Sequence, residues 1–487
     1  MGQYRPLAAV VLAAGEGTRM RSSTPKVLHP LCGRPMLLHV VDALLALPLD
    51  RIVVVVGHGA ERVTKTLQEQ TATETPIEFV EQRVQAGTGD AASVALTAFP
   101  EELDGEDDIL VVPGDTPLLR PETLALVARE HRAADAAATV LTARRADPGD
   151  YGRIVRDGRG LVDRIVERSD ASEEELAIDE VNTSIYCFRR GLLAPALRRL
   201  SPENAQGEYY LTDAVGVLRQ TGHTVVAVEA PDPVEPTGVN DRAQLAAAES
   251  CLRARINDLW MREGVTMVDP DRTYVDATVE LEPEVRLLPG TILEGRTVVA
   301  SGAVVGPDSH LVDTIVGEGA VVERSVAREA EIGDGAVVGP FAHLRPGTRL
   351  GPSAKAGSFV ETKNAEVGEG AKVPHLAYVG DAEVGEGSNL GAGTITANYD
   401  GRSKHRTRIG RRVHTGSNTV LVAPVEVGDD ATTGAGAVVV GDVPPGALAK
   451  GVPARNEEGW AAARRIVVKV AGAAGRSRPW RSSPRRS

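Results

Sequence analysis

From about Val265 onward the chain repeats every six residues. Ile332, Val338, Leu344, Leu350 and Ala356 stand six apart, as do Val367, Val373 and Val379, then Val384 and Leu390; Ile409, Thr415, Leu421, Val427, Thr433 and Val439 continue the pattern. No α-helix keeps one face with that period, because six residues turn it through about 600° and leave successive positions about 120° apart. A three-sided coil does keep one face. Each hexad supplies a short strand and a turn, three hexads close a circuit, and every sixth side chain points inward. Circuits stack about 4.8 Å apart, and the stretch to residue 460 is long enough for about ten of them at roughly 18 residues each. The 51 Gly and only 5 Phe of the chain suit small aliphatic layers. The expected fold here is a left-handed parallel β-helix whose flat sides and open ends favour packing against copies of itself.

The first half has another texture. Apolar runs at Ala8–Ala13, Arg51–Val56, Ile77–Val80 and Ile109–Val112 alternate with helical stretches such as Met36–Leu47 and Gly89–Phe99. That alternation predicts a Rossmann-like α/β domain with a mostly parallel sheet, and ligands in such sheets bind beyond the carboxyl ends of the strands. The expected organisation is a catalytic α/β domain over 1–240, a linker helix over 241–264, the β-helix over 265–460, and a basic, Pro/Ser-rich disordered tail over 461–487.

A net charge of −13 argues against a general nucleic-acid surface, so any phosphate site must be local. Cys32, Cys187 and Cys251 are far apart and lack metal spacing, no signal peptide opens the chain, and no apolar run reaches the ~18 residues of a membrane span. These features predict a cytoplasmic protein.

The first strand ends in a glycine loop, "LAAGEGTRM", followed by "TPKVLH". The mononucleotide P-loop needs Gly-Lys-Ser/Thr, which is absent. The dinucleotide fingerprint needs a third glycine, where Met20 stands, and an acid after the second strand, where Gly57 and His58 stand. A loop for a nucleoside triphosphate fits better. Gly15 and Gly17 let backbone N–H groups approach phosphates, Arg19 can fork onto their oxygens, and Lys26 adds a point charge. Asp115 follows another strand, where a carboxylate can hold Mg²⁺. Gln82 and the turn "AGTGDA" stand where they could contact a base.

The motifs "LAAGEGTRM", "TPKVLH", "QAGTGDA", "GDTPLL", "YGRIV", "IVERSDA", "VNTSIY", "NAQGEYYLTD" and "GVNDR" occur in the order of one family. The chain resembles, over about residues 7–460, the bacterial bifunctional N-acetylglucosamine-1-phosphate uridyltransferase / glucosamine-1-phosphate acetyltransferases. The resemblance implies two reactions: acetyl transfer from acetyl-CoA to glucosamine 1-phosphate, then uridylyl transfer from UTP to N-acetylglucosamine 1-phosphate, feeding peptidoglycan and other amino-sugar polymers. It implies that Arg19 and Lys26 hold the triphosphate and that Leu12, Ala13, Ala14, Gly15 and Gly114 line the nucleotide site. Gln82, Gly87 and Thr88 would face uracil; Gly152, Glu167 and Asn182 the sugar; and Asp115 and Asn240 would hold Mg²⁺. Glu16 occupies a place often basic in relatives.

A β-helix can be a mere trimerisation post. Here, however, "AHLRPG", "FVETKN", "KVPHLAYVGD" and "GAGTITANYDG" carry reactive groups, and Arg345, Lys363 and His375 lie 18 and 12 residues apart, spacings that let them converge on one or adjacent circuits. The resemblance implies that His375 is the general base, that Arg345, Lys363, Tyr378 and Asn389 bind the sugar phosphate with Glu361 orienting neighbours, and that Ala392, Asn398, Tyr399, Ser417 and Ala435 contact acetyl-CoA. Gly451 stands where relatives can carry Arg, leaving Lys450 or Arg455 to take that contact. The family's acetyl sites are built between chains of a homotrimer, with "NEEGW" (Asn456–Trp460) resembling the arm that crosses over. Two other readings stay open at this point: a single-activity nucleotidyltransferase whose β-helix only oligomerises, and a non-catalytic scaffold.

Overall fold

The computed structural model describes residues 5–99 and 107–462. It divides into two compact units, 1–252 and 253–487. The helix Arg242–Arg262 crosses the division. Its Leu245, Ala248 and Leu252 pack with Leu31, Met36, Leu118 and Val239 of the first unit, whereas Ile256 and Trp260 pack on the core of the second. The basic tail lies outside the described residues except for Ala461 and Ala462, which are helical.

The first unit is built on a sheet in the order Val225–Glu229, Ala138–Arg144, Glu180–Arg189, Asp108–Pro113, Leu7–Ala13, Arg51–Val56, Ile77–Glu81, with the hairpin Arg153–Arg156/Val162–Val166 beside Glu180–Arg189. All pairings along this path are parallel except those of Glu180–Arg189, which runs antiparallel to both neighbours. The strands read as unbroken apolar runs because both faces are covered. Ala9, Val11 and Ala13 enter one core, and Ala8 and Val10 the other. Helices Met36–Leu45 and Thr88–Leu96 end two or three residues before their apolar runs do, the first with Leu47 N donating to Leu44 O in a closing turn.

In the second unit most short strands pair in parallel with the third one along, as in Glu280↔Val298, Arg286↔Val304 and Ile292↔His310, while the longer Glu361–Val367 and Tyr378–Val384 pair with each other and Leu448–Lys450 runs antiparallel to Arg455–Glu457. The result is the three-sided parallel β-helix. Its hexad side chains, from Ile332 to Val439, are all buried. Thr415 and Thr433 point inward too, and their hydroxyls are satisfied: Thr394 and Thr415 share a hydroxyl contact of 2.7 Å, as do Thr419 and Thr433. The circuit length varies. His310 pairs with Val326, sixteen residues on; His343 with Glu361, eighteen on; and Glu383 with Arg408, twenty-five on. The long circuit contains a seven-residue excursion near Asn398–Arg406, closed by the Tyr399↔Lys404 bridge.

Candidate functional site

The nucleotide loop leaves the carboxyl end of Leu7–Ala13, and Gly114 and Asp115 leave the adjacent strand Asp108–Pro113. Gly114 N donates to Leu12 O (2.9 Å), which locks the two loops side by side. Gly17 has φ 65°, and a Cβ there would lie 2.5 Å from the Lys26 Cβ; only glycine lets Lys26 turn inward. The Lys26 ammonium donates to the Asp115 carboxylate and to Asn240 Oδ1 (3.1 Å). Val239 N donates to Asp115 O (2.9 Å), tying the segment before Asn240 to the same loop. Two hard oxygen donors thus converge on a cation, and the Lys26 ammonium marks the place. That donor set fits Mg²⁺ bound by few protein groups with phosphate and water filling the octahedron; among the described residues no group of three His, Cys, Asp or Glu side chains is placed to hold a metal. Arg19 is exposed on the turn Thr18–Met20 and reaches Asp150 (3.8 Å) rather than Lys26. Glu16 is exposed.

Gln82 follows Ile77–Glu81 and is buried. Its Nε2 donates to Gly87 O (3.1 Å) and Asp90 Oδ2 (2.8 Å). Gly87 has φ 109°, and a Cβ there would meet Tyr209 O at 2.5 Å. Gly87 and Thr88 open the helix Thr88–Leu96, and the Thr88 hydroxyl accepts from Leu211 N (3.0 Å). Next to them is a cavity of about 200 Å³ lined by Leu12, Thr88, Glu167 and Tyr186 together with Ser184, Gln206, Glu208 and Tyr210. Glu167 accepts from the Thr212 hydroxyl (3.0 Å), and burial raises its pKa, with Asp213 and Asp170 pushing the same way. Gly152 lies against Glu167, and its carbonyl accepts from Asn182 N (2.9 Å). Asn182 is buried beneath the cavity, its amide donating to the Tyr186 hydroxyl (2.8 Å) and its Oδ1 accepting from Ser184 N (3.1 Å). It shapes the wall rather than lining it.

On the β-helix, Glu361 pairs with Tyr378, and Lys363 with Gly380. The Tyr378 hydroxyl lies over Gly380, where a side chain would collide with it. Arg345 Nη1 donates to Glu361 Oε1 (2.8 Å). Lys404, carried by the excursion, stands beside Lys363; its ammonium lowers the Lys363 pKa, and Arg345 adds to the effect. Three cations therefore share one patch. Asp381 faces them and accepts from Asn364 Nδ2 (2.7 Å) and Asn398 Nδ2 (2.5 Å).

His375 ends the strand Lys372–His375 and is exposed. The backbone ladder at this edge is regular: Gly393 N donates to His375 O (3.2 Å), Asn418 N to Ala392 O (2.7 Å) and Gly436 N to Ser417 O (2.8 Å). His375, Ala392, Ser417 and Ala435 thus take the same place in successive circuits. Beside them runs a corner of left-handed residues: Phe341 (φ 61°), Phe359 (57°) and Leu376 (49°), then Gly393 (74°), Asn418 (57°) and Gly436 (72°). The edge is bulky and apolar below His375 and open above it. Asn389 stands apart on the strand column between Lys372 and His414, and Tyr399 is exposed where the excursion closes on Lys404. Lys450 pairs with Glu457 (2.6 Å) across a hairpin with Arg455–Glu457, while Arg455 is exposed.

A model of the MobA-like NTP transferase domain matches residues 9–255. Proteins named Bifunctional protein GlmU match nearly end to end: that of Streptomyces avermitilis is 51% identical over 97% of this chain and 98% of its own. Those of Kineococcus radiotolerans and Thermobifida fusca are each 52% identical, over 97% and 98% of this chain and 95% and 99% of their own. The chain belongs to the GlmU family. Within this GlmU-family fold, the residues that sequence reasoning left out are Lys404, hidden in the excursion that interrupts the six-residue period, and Ser184, Gln206, Glu208 and Tyr210. The only signal for the last three was the motif "NAQGEYYLTD".

Proposed function

We propose that this chain carries both reactions of a bifunctional GlmU enzyme. Acetyl transfer runs on the β-helix. Arg345, Lys363 and Lys404 clamp the phosphate of glucosamine 1-phosphate, while Tyr378 completes the sugar pocket beside them and Asn389 contributes from the neighbouring column that carries Lys372. Acetyl-CoA lies along the Ala392–Ser417–Ala435 edge, with Asn398 and Tyr399 closing over it. Three circuits at about 4.8 Å each place Ala435 about 14 Å from His375, a span that an extended pantetheine arm covers. His375 takes a proton from the amine as its nitrogen attacks the thioester carbonyl; the C–S bond breaks and the coenzyme leaves as a thiol. An imidazole is the side chain most often used for such a proton transfer.

Uridylyl transfer runs at the sheet edge. The phosphate oxygen of N-acetylglucosamine 1-phosphate attacks the α-phosphorus of UTP, and pyrophosphate leaves. The nucleophile is already anionic, so the protein aligns the reactants and neutralises charge. Lys26 and Arg19 bind the triphosphate, Gln82, Gly87 and Thr88 face uracil, and Gly152 and Glu167 form the sugar subsite, with Asn182 supporting its wall. Asp115 and Asn240 would hold Mg²⁺, which when bound supplies further neutralisation at the phosphate oxygens.

The working form is a homotrimer in the cytoplasm. Phe341 and Phe359 stack with ring centroids 5.3 Å apart, 51% and 59% exposed, next to Leu376 at 63%; a neighbouring prism would cover this apolar ladder beside His375. Among the described residues no helix is long and apolar enough to cross a membrane. The observation that carries the two-site reading is the alignment of His375 with the small-residue edge above it. The test is to supply purified protein with glucosamine 1-phosphate, acetyl-CoA, UTP and Mg²⁺ and to follow thiol and pyrophosphate separately. Both should appear; no thiol from that mixture, while protein given N-acetylglucosamine 1-phosphate and UTP still releases pyrophosphate from the UTP, would reduce the β-helix to a scaffold.

A further inference from the structure

One short turn reaches from Arg19 to the cavity beside Glu167 and to the segment before Asn240. Between Asp147 and Gly152 the chain turns tightly, with Tyr151 N donating to Pro148 O (3.2 Å). Asp150 reaches Arg168 (2.5 Å) and Arg19 (3.8 Å). Gly152 lies against Glu167 at the sugar cavity. Between them, the Tyr151 hydroxyl accepts from Gly238 N (3.3 Å). Gly238 is two residues from Asn240, and a Cβ there would lie 3.6 Å from Asp115 Oδ1.

Arg145 reinforces this link. Its guanidinium lies over the Tyr151 ring, 4.7 Å from the centroid. Its Nη2 donates to Thr237 Oγ1 (2.6 Å) and Pro233 O (3.1 Å). The far side of the same segment is pinned by Glu235, which is buried, accepts from the Thr123 hydroxyl (2.6 Å) and pairs with Arg120 (3.3 Å). The segment that delivers Asn240 is therefore held from both sides, and one of the two anchors is the turn bearing Gly152.

We infer that Tyr151 and Arg145 are positioning residues that set Asn240 against Asp115, so that filling the sugar subsite and filling the cation subsite favour one another. The inference rests on the assignment of Asp115 and Asn240 to Mg²⁺. Neither side chain needs to touch the cation. A sugar that orders the Asp147–Gly152 turn fixes the Tyr151 hydroxyl, which fixes the Gly238 peptide and, two residues on, the Asn240 carbonyl oxygen. Reciprocity then requires the cation to tighten sugar-nucleotide binding by the same factor.

The test is calorimetric binding of UDP-N-acetylglucosamine to the full chain, in EDTA and in Mg²⁺. The ratio of the two affinities is the metal-dependent gain. In Tyr151→Phe, which keeps the ring beneath Arg145 and loses the acceptor, the gain should shrink about 3–10-fold, the order of one hydrogen bond, while the affinity in EDTA stays within about twofold. Thr237→Val, which removes the Arg145 contact, should act in the same direction. Thermal melts in EDTA check that each variant is folded. Equal losses with and without Mg²⁺, or an unchanged gain in both variants, would overturn the inference. Asn240→Ala separates the two levels. If it abolishes the gain while the Tyr151 and Thr237 variants do not, only the positioning role fails; if it leaves the gain intact, the metal assignment fails and the inference falls with it.

Discussion

The sheet domain fills its core with large side chains on two covered faces, Tyr186, Phe188, Leu38 and Ile52 among them, whereas the β-helix fills a single narrow interior with Val, Leu, Ile, Ala and Thr. The difference governs how each half builds a site. In the β-helix a residue's neighbour lies one circuit away, so Arg345, Lys363 and Tyr378 meet because their spacing makes them meet. In the sheet domain Lys26, Asp115 and Asn240 meet only because three loops from distant parts of the chain end at one edge. A periodic fold makes its site a local matter; a wound sheet makes it a matter of topology.

That contrast can be broken by experiment. The largest effect should come from His375→Ala, which should lower acetyl transfer about 10²–10⁴-fold with uridylyl transfer unchanged. Arg19→Ala should do the reverse, by about 10²-fold. Loss of both activities from either change in a folded protein would show that the halves do not work independently. Next, replacing the seven-residue excursion by a tight turn restores the eighteen-residue circuit. Circular dichroism and the melting temperature should hold while acetyl transfer collapses; an unfolded product would show that the excursion is structural. Lys404→Ala alone should raise the KM for glucosamine 1-phosphate about tenfold, the order of one charge-assisted contact, and kcat should change less.

The smallest effect concerns stability. Burial raises the Glu167 pKa, so the folded state holds that proton more tightly than the unfolded one. This contribution to stability therefore falls as pH rises from the ordinary carboxylate value through the raised one. Glu167→Gln keeps an acceptor for Thr212 and should raise the melting temperature at pH 7, with the gain vanishing at acid pH. A gain that is constant with pH would show that Glu167 is not strained by ionisation.

The prism was the legible half. Its interior could be read residue by residue because the period tolerates little variation: an inward hexad position must be aliphatic, or a Thr such as Thr415 or Thr433 whose hydroxyl accepts from a backbone N–H and meets a second hydroxyl. The excursion broke that reading, since nothing in a six-residue count says that Lys404 returns to Lys363. In the sheet domain the strands and the glycine loop were legible from apolar runs and from Gly17, whose left-handed backbone admits no other residue without displacing Lys26. The lining of the cavity beside Glu167 was not. Ser184 enters it through a left-handed bend within the antiparallel strand, and Gln206 and Tyr210 come from a separate loop. Glu167 and Asn182 were placed through family likeness alone, and the structure gives them different tasks, one lining the cavity and one supporting its wall.

The excursion at Asn398–Arg406 leaves the column and rejoins it without disturbing the rungs on either side, since Ile395 still pairs with Val420 as Arg408 does with Glu426. Length there is free of the arithmetic that binds the rest of the prism. Natural variants should therefore differ in how many residues they thread through this gap, and a designer seeking to retune which amino sugar is accepted could graft new sequence into it as into a socket.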